Sequence, residues 1–132
     1  MSSVIPAPFD DLLDATTVAV LATLMPDGSP QATPVWFSRD GDDILVNSAH
    51  GRAKDRNMRR DPRVALTIVD PDNPYRYIEV RGQVCAITED GADAHIDELA
   101  QAYLNVPEYP NRKPGEIRVT YRIKPVHVTT MG

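Results

Sequence analysis

The chain of 132 residues contains a single cysteine, Cys85, and no run of apolar residues long enough to cross a bilayer, which takes about 18 or more. One thiol cannot form an internal disulfide, and no group of cysteines and histidines has the spacing of a zinc site. The first fifteen residues contain neither the basic nor the apolar segment of a secretion signal. We therefore expect one cytoplasmic domain, residues 1–132, without a metal, a disulfide or a membrane span.

Positive charge is scarce and unevenly distributed. The formal net charge is −5, yet six of the fourteen Lys and Arg residues lie between Arg52 and Arg63. Phosphate-backbone binding needs a broad basic surface, so the charge pattern disfavours nucleic acid and favours a local anion site. Two nucleotide-binding signatures, G-x-G-x-x-G and G-x-x-x-x-G-K-[ST], are missing, so neither a Rossmann fold nor a P-loop is supported.

The rest of the chain has the pattern of a mainly β protein. Asp-Gly pairs at 27–28 and 40–41 predict two tight reversals, so the first three strands follow one another as hairpins. Helical periodicity predicts three short helices, at 9–15, 51–60 and 91–104. We expect a small barrel whose openings are closed by helices. It contains about six antiparallel strands, at 17–24, 31–39, 44–49, 63–70, 75–88 and 116–130.

The basic segment HGRAKDRNMRRDPR, residues 50–63, has two interpretations. In the first, Arg52 and Lys54 lie in the first helical turn, where free backbone N–H groups and the helix dipole favour an anion, and Asn47 or Ser48 adds neutral hydrogen bonds. In the second, the helix is simply solvated and Asp55 pairs with Arg59 one turn later. The residues alone do not decide between these two.

Several single residues carry weaker signals. His50, Tyr75 and Tyr77 are candidate proton donors, although a loop histidine and two tyrosines on one strand face are equally typical of ordinary surface or interface positions. We expect His95 to be solvated on its helix and Cys85 to be a small core residue. The Pro-rich loop 105–115 is either a lid or a stiff connection.

Three segments in this order carry a resemblance: VAVLATLMPDGSPQATPVWF, ILVNSAHGRAKDRNMRRDPRVALTIVD and YRYIEVRGQV. Together they resemble the split-barrel flavin and deazaflavin oxidoreductases, the superfamily of pyridoxamine 5′-phosphate oxidase. The closer resemblance is to its coenzyme F420-dependent branch in actinobacteria. The resemblance extends over nearly the whole chain and implies a homodimeric split β-barrel that binds its cofactor between subunits.

The resemblance also implies a role for each matching position. Pro34, Val35 and Trp36 would run along the flavin-like ring, while Tyr75 and Tyr77 would approach from the partner subunit. The phosphate would be held by Asn47, Ser48, Arg52, Lys54 and Asn57, and the surplus cations Arg56, Arg59 and Arg60 would attend the carboxylates of an F420 tail.

These roles leave three functions open. The first is hydride transfer from reduced F420 to a small acceptor such as an enone, imine or quinone, the second is FMN-dependent redox chemistry, and the third is non-catalytic cofactor binding. The chain ends soon after its last strand, so it lacks the extension with which the oxidase holds pyridoxal phosphate, and pyridoxamine oxidation is not expected. The residues identify neither the substrate, nor the reaction direction, nor a proton donor.

Overall fold

A computed structural model describes residues 4–132. The expectation that the N-terminus is not a secretion signal therefore rests partly on residues 1–3, which lie outside the described part. A 3-10 turn at Ala7–Phe9 leads into the first helix. The elements, in chain order, are α1 (Asp10–Leu13), β1 (Ala19–Leu24), β2 (Pro30–Val35), β3 (Phe37–Asp40), β4 (Asp43–Ala49), α2 (Ala53–Arg60), β5 (Arg63–Asp70), β6 (Asn73–Thr88), α3 (Ala92–Leu104) and β7 (Arg118–Met131).

The seven strands form one antiparallel sheet in the order β2-β1-β5-β6-β7-β4-β3. Strands β2 and β3 lie at opposite edges of this order, although only Trp36 separates them in the chain. One residue spans about 3.6 Å at most, so the two edges must meet at Trp36 and the sheet must curl. The predicted mainly β, split-barrel class is therefore confirmed. The predicted strand 31–39 was wrong in one respect, because it breaks at Trp36 into two strands that pair with different neighbours.

The concave side of the curled sheet contains the hydrophobic core. Alternate residues of each strand point into it, as in β1, where Ala19 and Leu21 are buried and Val20 between them is exposed. Leu12 and Leu13 of α1 pack on the same cluster, and so does Met58 of α2. The hairpin turns form where predicted, and Gly28 and Gly41 both adopt the positive φ that a tight reversal requires.

The long strands β6 and β7 are interrupted by two shifts of register, after Arg81 and between Val84 and Ala86. At the first shift, a Cβ added to Gly82 would lie 2.5 Å from the carbonyl oxygen of Lys124, so only glycine fits there. At the second, Cys85 has no partner residue in the register and is exposed. The prediction that Cys85 lies in the core was wrong because Cys85 follows Arg81 and Gln83 on the outward side of the strand, and the bulge changes the facing only of the residues after it.

The helices cover the barrel at different places. Helix α1 lies against β5, α2 lies against β1 and β4, and α3 packs on the convex side of β4 and β7. Because β4 and β7 alternate, their outward side chains Asn47 and Thr120 face α3, while Val46 and Tyr121 face the core. None of the helices formed by residues 4–132 combines the length and the apolar composition that a bilayer crossing requires.

Candidate cofactor groove

A groove of about 350 Å³ lies where the two sheet edges meet, between α3, the start of α2 and the loop that follows α3. It combines an apolar wall with a polar one. The groove brings together six of the sequence-predicted cofactor residues: Pro34, Val35, Trp36, Asn47, Arg52 and Lys54. Its other lining residues are Val18, Ile96, Leu99, Tyr109, Asn111 and Arg118.

The polar wall contains three cations and one nearby acid. Glu116 accepts hydrogen bonds from Arg118 at 3.1 Å and from Arg52 at 3.3 Å, and thereby pairs with both guanidinium groups. Arg118 is only 5 % exposed, and its Nε donates to Oδ1 of Asn47 at 2.9 Å. One carboxylate thus balances two buried or half-buried arginines, and the positive charge of Lys54 is left over.

Lys54 makes no ion pair and no hydrogen bond with another residue of the described range 4–132. Burial lowers the pKa of its amino group, and the positive charges of Arg52 and Arg118 lower it further. Its position in the first turn of α2 adds the free N–H groups of a helix start. The groove therefore has the charge and the donors of an anion site.

The apolar wall is built around Trp36, the residue that joins β2 to β3. Its ring stacks on Tyr103 of α3 with centroids 5.2 Å apart and meets Tyr109 edge-on at 6.1 Å. The hydroxyl of Tyr103 donates to the carbonyl oxygen of Thr17 at 2.9 Å and accepts from the backbone N–H of Phe37 at 3.1 Å. These hydrogen bonds fix the ring that supports the indole.

The loop after α3 is fastened to that helix. Arg112 donates to Asp97 at 2.6 Å and to Asp93 at 3.1 Å, and the backbone N–H of Tyr109 donates to Asp97 at 2.9 Å. The ring of Tyr109 lies 5.1 Å from the guanidinium carbon of Arg118. Of the two interpretations of segment 105–115, these contacts favour a fixed wall of the groove over a free lid.

Other predicted site residues lie outside the groove. Ser48 is buried on the core side of β4, where its hydroxyl has no hydrogen-bond partner among residues 4–132. Asn57 is buried against β1, and its Nδ2 donates to the hydroxyl of Thr23 at 3.0 Å. Arg60 donates to the carbonyl oxygen of Leu24, and Arg56 donates to that of Gly51. The remaining predicted residues, His50, Tyr75 and Tyr77, do not line the groove either.

Helix α2 also makes the pair expected for a merely structural helix. Asp55 is buried and accepts hydrogen bonds from the N–H of Gly51 at 2.9 Å, from Arg59 at 3.0 Å and from the hydroxyl of Tyr121. Burial opposes its ionisation, but the hydrogen bonds from Tyr121, Gly51 and Arg59 hold the pKa of Asp55 below its usual range. The Asp55–Arg59 pair of the second interpretation is therefore present, while Arg52 and Lys54, the residues of the first, line the groove on another side of the helix.

His95 is not solvated, and that prediction was wrong. It is 8 % exposed on the side of α3 that packs on the sheet, where its ring nitrogens contact Ser38 and Asn47. The acidic residues on either side of it in the sequence, Asp93 and Asp97, suggested that His95 faces water with them. They pair with Arg112 of the following loop, while His95 faces the sheet.

Sequence reasoning also missed Arg118, Ile96 and Leu99 as lining residues. Arg118 is separated from the basic segment by more than fifty residues and reaches it only because β7 pairs with β4. The one signal in the sequence was the position of Arg118 at the start of an alternating strand, two residues after Glu116, with which it pairs. Residues 4–132 contain no cluster of three or more His, Cys, Asp or Glu side chains suited to a metal ion.

Comparison with known proteins agrees with this geometry. Residues 5–132 match the family described as pyridoxamine 5′-phosphate oxidase. An F420 reductase of known structure is 35 % identical, with a TM-score of 0.84 over 95 % of this chain and 98 % of its own. A conserved hypothetical protein of Mycobacterium tuberculosis has a TM-score of 0.77 at 24 % identity, over 99 % of this chain and 84 % of its own.

A pyridoxamine 5′-phosphate oxidase-like protein of Listeria innocua has the same fold, with a TM-score of 0.69 at 22 % identity, over 91 % of this chain and 92 % of its own. The chain belongs to the pyridoxamine 5′-phosphate oxidase family. The comparisons support an oxidoreductase that uses a flavin or deazaflavin cofactor, within a family that also includes proteins without enzymatic activity.

Proposed function

We propose that the protein binds coenzyme F420 in the groove and transfers hydride from its reduced form to a small organic acceptor, such as an enone, imine or quinone. The observation that carries this proposal is the ammonium group of Lys54, which has no partner among residues 4–132 and lines the groove together with Arg52, Arg118 and Trp36. The 35 % identity to an F420 reductase supports the deazaflavin form of the cofactor.

The residues present fit such a cofactor. A phosphate would supply the acceptor that Lys54 lacks, and Arg52 would offer donors to the same group. Pro34, Val35 and Trp36 form an apolar strip along which a planar ring system can lie. Arg56 is exposed at the outer side of α2 and would attract the carboxylates of the tail through long-range charge rather than contact.

When bound, reduced F420 supplies a hydride to an electrophilic carbon. The protein contributes binding, orientation and a dry surface, since Trp36, Tyr103 and Leu99 exclude water on one side. Within one subunit, none of the predicted donors His50, Tyr75 and Tyr77 lines the groove, so the proton that completes a reduction comes from solvent, from a second subunit or from Tyr109 of the groove wall.

That second subunit is part of the proposal. Val20, Val69 and Val126 are exposed on the convex side of the sheet, and Val126 also lines a shallow apolar depression of about 490 Å³. Pro34 at the rim of the groove pairs in register with Val20, so a copy covering this surface would also reach the groove. We propose a homodimer in which Tyr75 or Tyr77 of the partner approaches the cofactor.

Two fluorescence titrations test the cofactor, with oxidised F420 and with FMN, each at low and moderate salt. We expect low-micromolar binding of F420 that weakens with salt, because charge-assisted contacts to an anion are screened. Sedimentation of the same samples tests the dimer, and the variant Val20→Asp should yield a monomer that binds F420 more weakly. A folded protein that binds neither cofactor would overturn the proposal.

FMN is the second candidate, since Arg52 and Lys54 would serve its phosphate equally well. Preferential binding of FMN in the paired titrations would assign the protein to the flavin branch. Tight binding of F420 without reduction of any enone, imine, quinone or nitro compound would instead indicate a protein that stores or shields the cofactor.

A further inference from the structure

The arginine in the wall of the groove is held by hydrogen bonds that lead to a buried histidine. Nε of Arg118 donates to Oδ1 of Asn47 at 2.9 Å, and Nδ2 of Asn47 lies 3.1 Å from Nδ1 of His95. The other ring nitrogen, Nε2, lies 3.0 Å from the hydroxyl of Ser38. Asn47 and Arg118 line the groove, whereas His95 lies behind them and touches no part of it.

The partners of Asn47 fix the orientation of its amide. Arg118 can only donate, so the atom that faces it must be the amide oxygen. The amide nitrogen then faces the carbonyl oxygen of Ala92 at 3.0 Å and the ring of His95. An amide turned the other way would place two donors together at Arg118 and two acceptors together at Ala92.

This orientation fixes the protonation state of His95. Because Nδ2 of Asn47 donates, Nδ1 of His95 must accept, so the ring is neutral and carries its proton on Nε2, which donates to Ser38. Thr120 is the remaining neighbour, with its hydroxyl 3.4 Å from Nδ1 and 3.5 Å from Nδ2 of Asn47. Protonation of Nδ1 would set an N–H group against the amide N–H group.

We propose that His95 is a positioning residue: in its neutral form it holds the amide of Asn47, which orients Arg118 toward the groove. Protonation of His95 loosens this hold, leaves Arg118 to Glu116 and Tyr109 alone, and weakens binding of an anionic cofactor. The identity of that cofactor rests on the proposed function. Arg118 is nearly buried and its guanidinium is fixed before any ligand arrives, so loosening it removes preorganisation from the groove.

The surroundings of His95 keep the ring neutral near neutral pH. Burial lowers the pKa of His95, the negative charge of Glu98 on the same helix raises it, and the positive charge of Arg118 on β7 lowers it again. The contacts from β3, β4 and β7, made by Ser38, Asn47 and Thr120, are uncharged. The neutral state therefore prevails until the pH falls below the ordinary range of histidine, about 6.5.

The first test compares the pH dependence of F420 binding in three proteins. His95→Asn replaces Nδ1 with an amide oxygen, which can still accept the hydrogen bond from Asn47 but does not titrate. His95→Leu removes the acceptor altogether. We expect the dissociation constant of the wild type to rise at least about fivefold between about pH 8 and pH 5. For His95→Asn we expect a dissociation constant that stays low at every pH. For His95→Leu we expect one that is high at every pH. If F420 binding to His95→Asn weakened at low pH as much as binding to the wild type does, the proposal would be overturned.

The second test needs no cofactor. The Nε–H signal of Arg118 in a ¹⁵N spectrum reports its hydrogen bond to Asn47, and the ring signal of His95 reports protonation directly. We expect the Arg118 signal to broaden or exchange faster over the same pH range in which His95 titrates, and to remain sharp in His95→Asn. If the Arg118 signal stayed the same while His95 is protonated, the proposal would be overturned even if F420 binds.

The two tests also separate this inference from the proposed function. An Arg118 signal that changes as His95 titrates, in a protein that binds neither F420 nor FMN, would overturn the assigned cofactor and support the positioning role. Melting curves of both variants across the same range, about pH 5 to about pH 8, serve as the folding control, since binding is compared only where each variant is folded.

Discussion

Helix α2 presents two sides that differ in how completely their polar groups are paired. On the core side, Asp55 and Asn57 are buried, and each makes several hydrogen bonds to neighbouring elements. On the groove side, Lys54 is half-buried without a partner among residues 4–132, and Arg52 shares one carboxylate with Arg118. The first set holds the helix on the barrel, and the second leaves positive charge facing an open groove.

The difference between the two sides separates polar residues that stabilise the fold from polar residues that only a ligand explains. A buried polar group is retained at low cost only when its hydrogen bonds are made, so Asp55 and Asn57 are explained by the fold alone. A desolvated ammonium group without an anion costs stability, so the fold does not explain Lys54. A ligand that supplies the anion does explain it, and substitutions on the two sides should therefore affect different measurements.

The largest effect is expected at Asp55. Asp55→Ala leaves the hydroxyl of Tyr121 and the N–H of Gly51 without their acceptor, and the free energy of unfolding should fall by about 3 kcal/mol. Denaturant melts at neutral pH measure this loss. F420 affinity should change little at temperatures where the variant is folded, and a large loss of affinity without loss of stability would contradict the structural role.

The same carboxylate predicts a dependence on pH. The folded-state pKa of Asp55 is below the ordinary 3.8, so the unfolded chain takes up the proton first as the pH falls. The stabilisation is thus complete above about pH 4 and is lost at lower pH. Asp55→Asn should reduce the acid sensitivity of unfolding, and melts across acidic pH values measure this change.

Asn57 should follow, with a loss of about 1 to 2 kcal/mol. Asn57→Ala removes the partner of the Thr23 hydroxyl, which is itself buried, and also the acceptor of Arg60. The measurement is again a denaturant melt, combined with an F420 titration. If the affinity falls tenfold while the stability stays at the wild-type value, Asn57 binds the phosphate as the family resemblance implies, and its buried position does not describe the bound state.

The strands of this fold were predictable because each half-buried strand records its own alternation in the sequence. The two Asp-Gly turns and the long periodic helix α3 were equally local signals. The break at Trp36 was not predictable, since it depends on two neighbouring hairpins falling at opposite edges of the sheet, and the bulge at Cys85 was not predictable because it depends on pairing with the distant strand β7. Local pattern thus predicts the elements, and pairing decides where they are interrupted.

The groove was predictable only where its residues are close in sequence. Arg52 and Lys54 share one helical turn, and Pro34 to Trp36 form one continuous segment. Arg118 and Tyr109 join them, with His95 behind the wall, through the pairing of β4 with β7 and the docking of α3. Sequence spacing contains no trace of these contacts, and the acids around His95 even suggested the opposite orientation.

Lys54→Ala should weaken F420 binding at least about tenfold, because it removes one charge-assisted contact to the phosphate. The melting temperature should not fall, and relief of an unpaired, half-buried charge should raise it slightly. Arg56→Ala is the matched control: it removes the same charge from an exposed position two residues away on α2. Equal losses in the two variants would mean that the helix attracts the cofactor by its total charge, without a contact at Lys54.

The smallest effect is expected at Asp61, just after α2, and it completes the comparison between the two sides of the helix. Asp61 pairs with Arg63 at 2.7 Å, a shorter distance than the 3.0 Å between Asp55 and Arg59, and this pairing lowers its pKa to about 2. Arg63 is 70 % exposed, however, and exposed pairs contribute about 0 to 1 kcal/mol because water screens them. Asp61→Asn should therefore leave both the free energy of unfolding and F420 binding nearly unchanged. A loss as large as that of Asp55→Ala would show that the length of an ion pair, rather than its burial, determines what the carboxylates around α2 contribute.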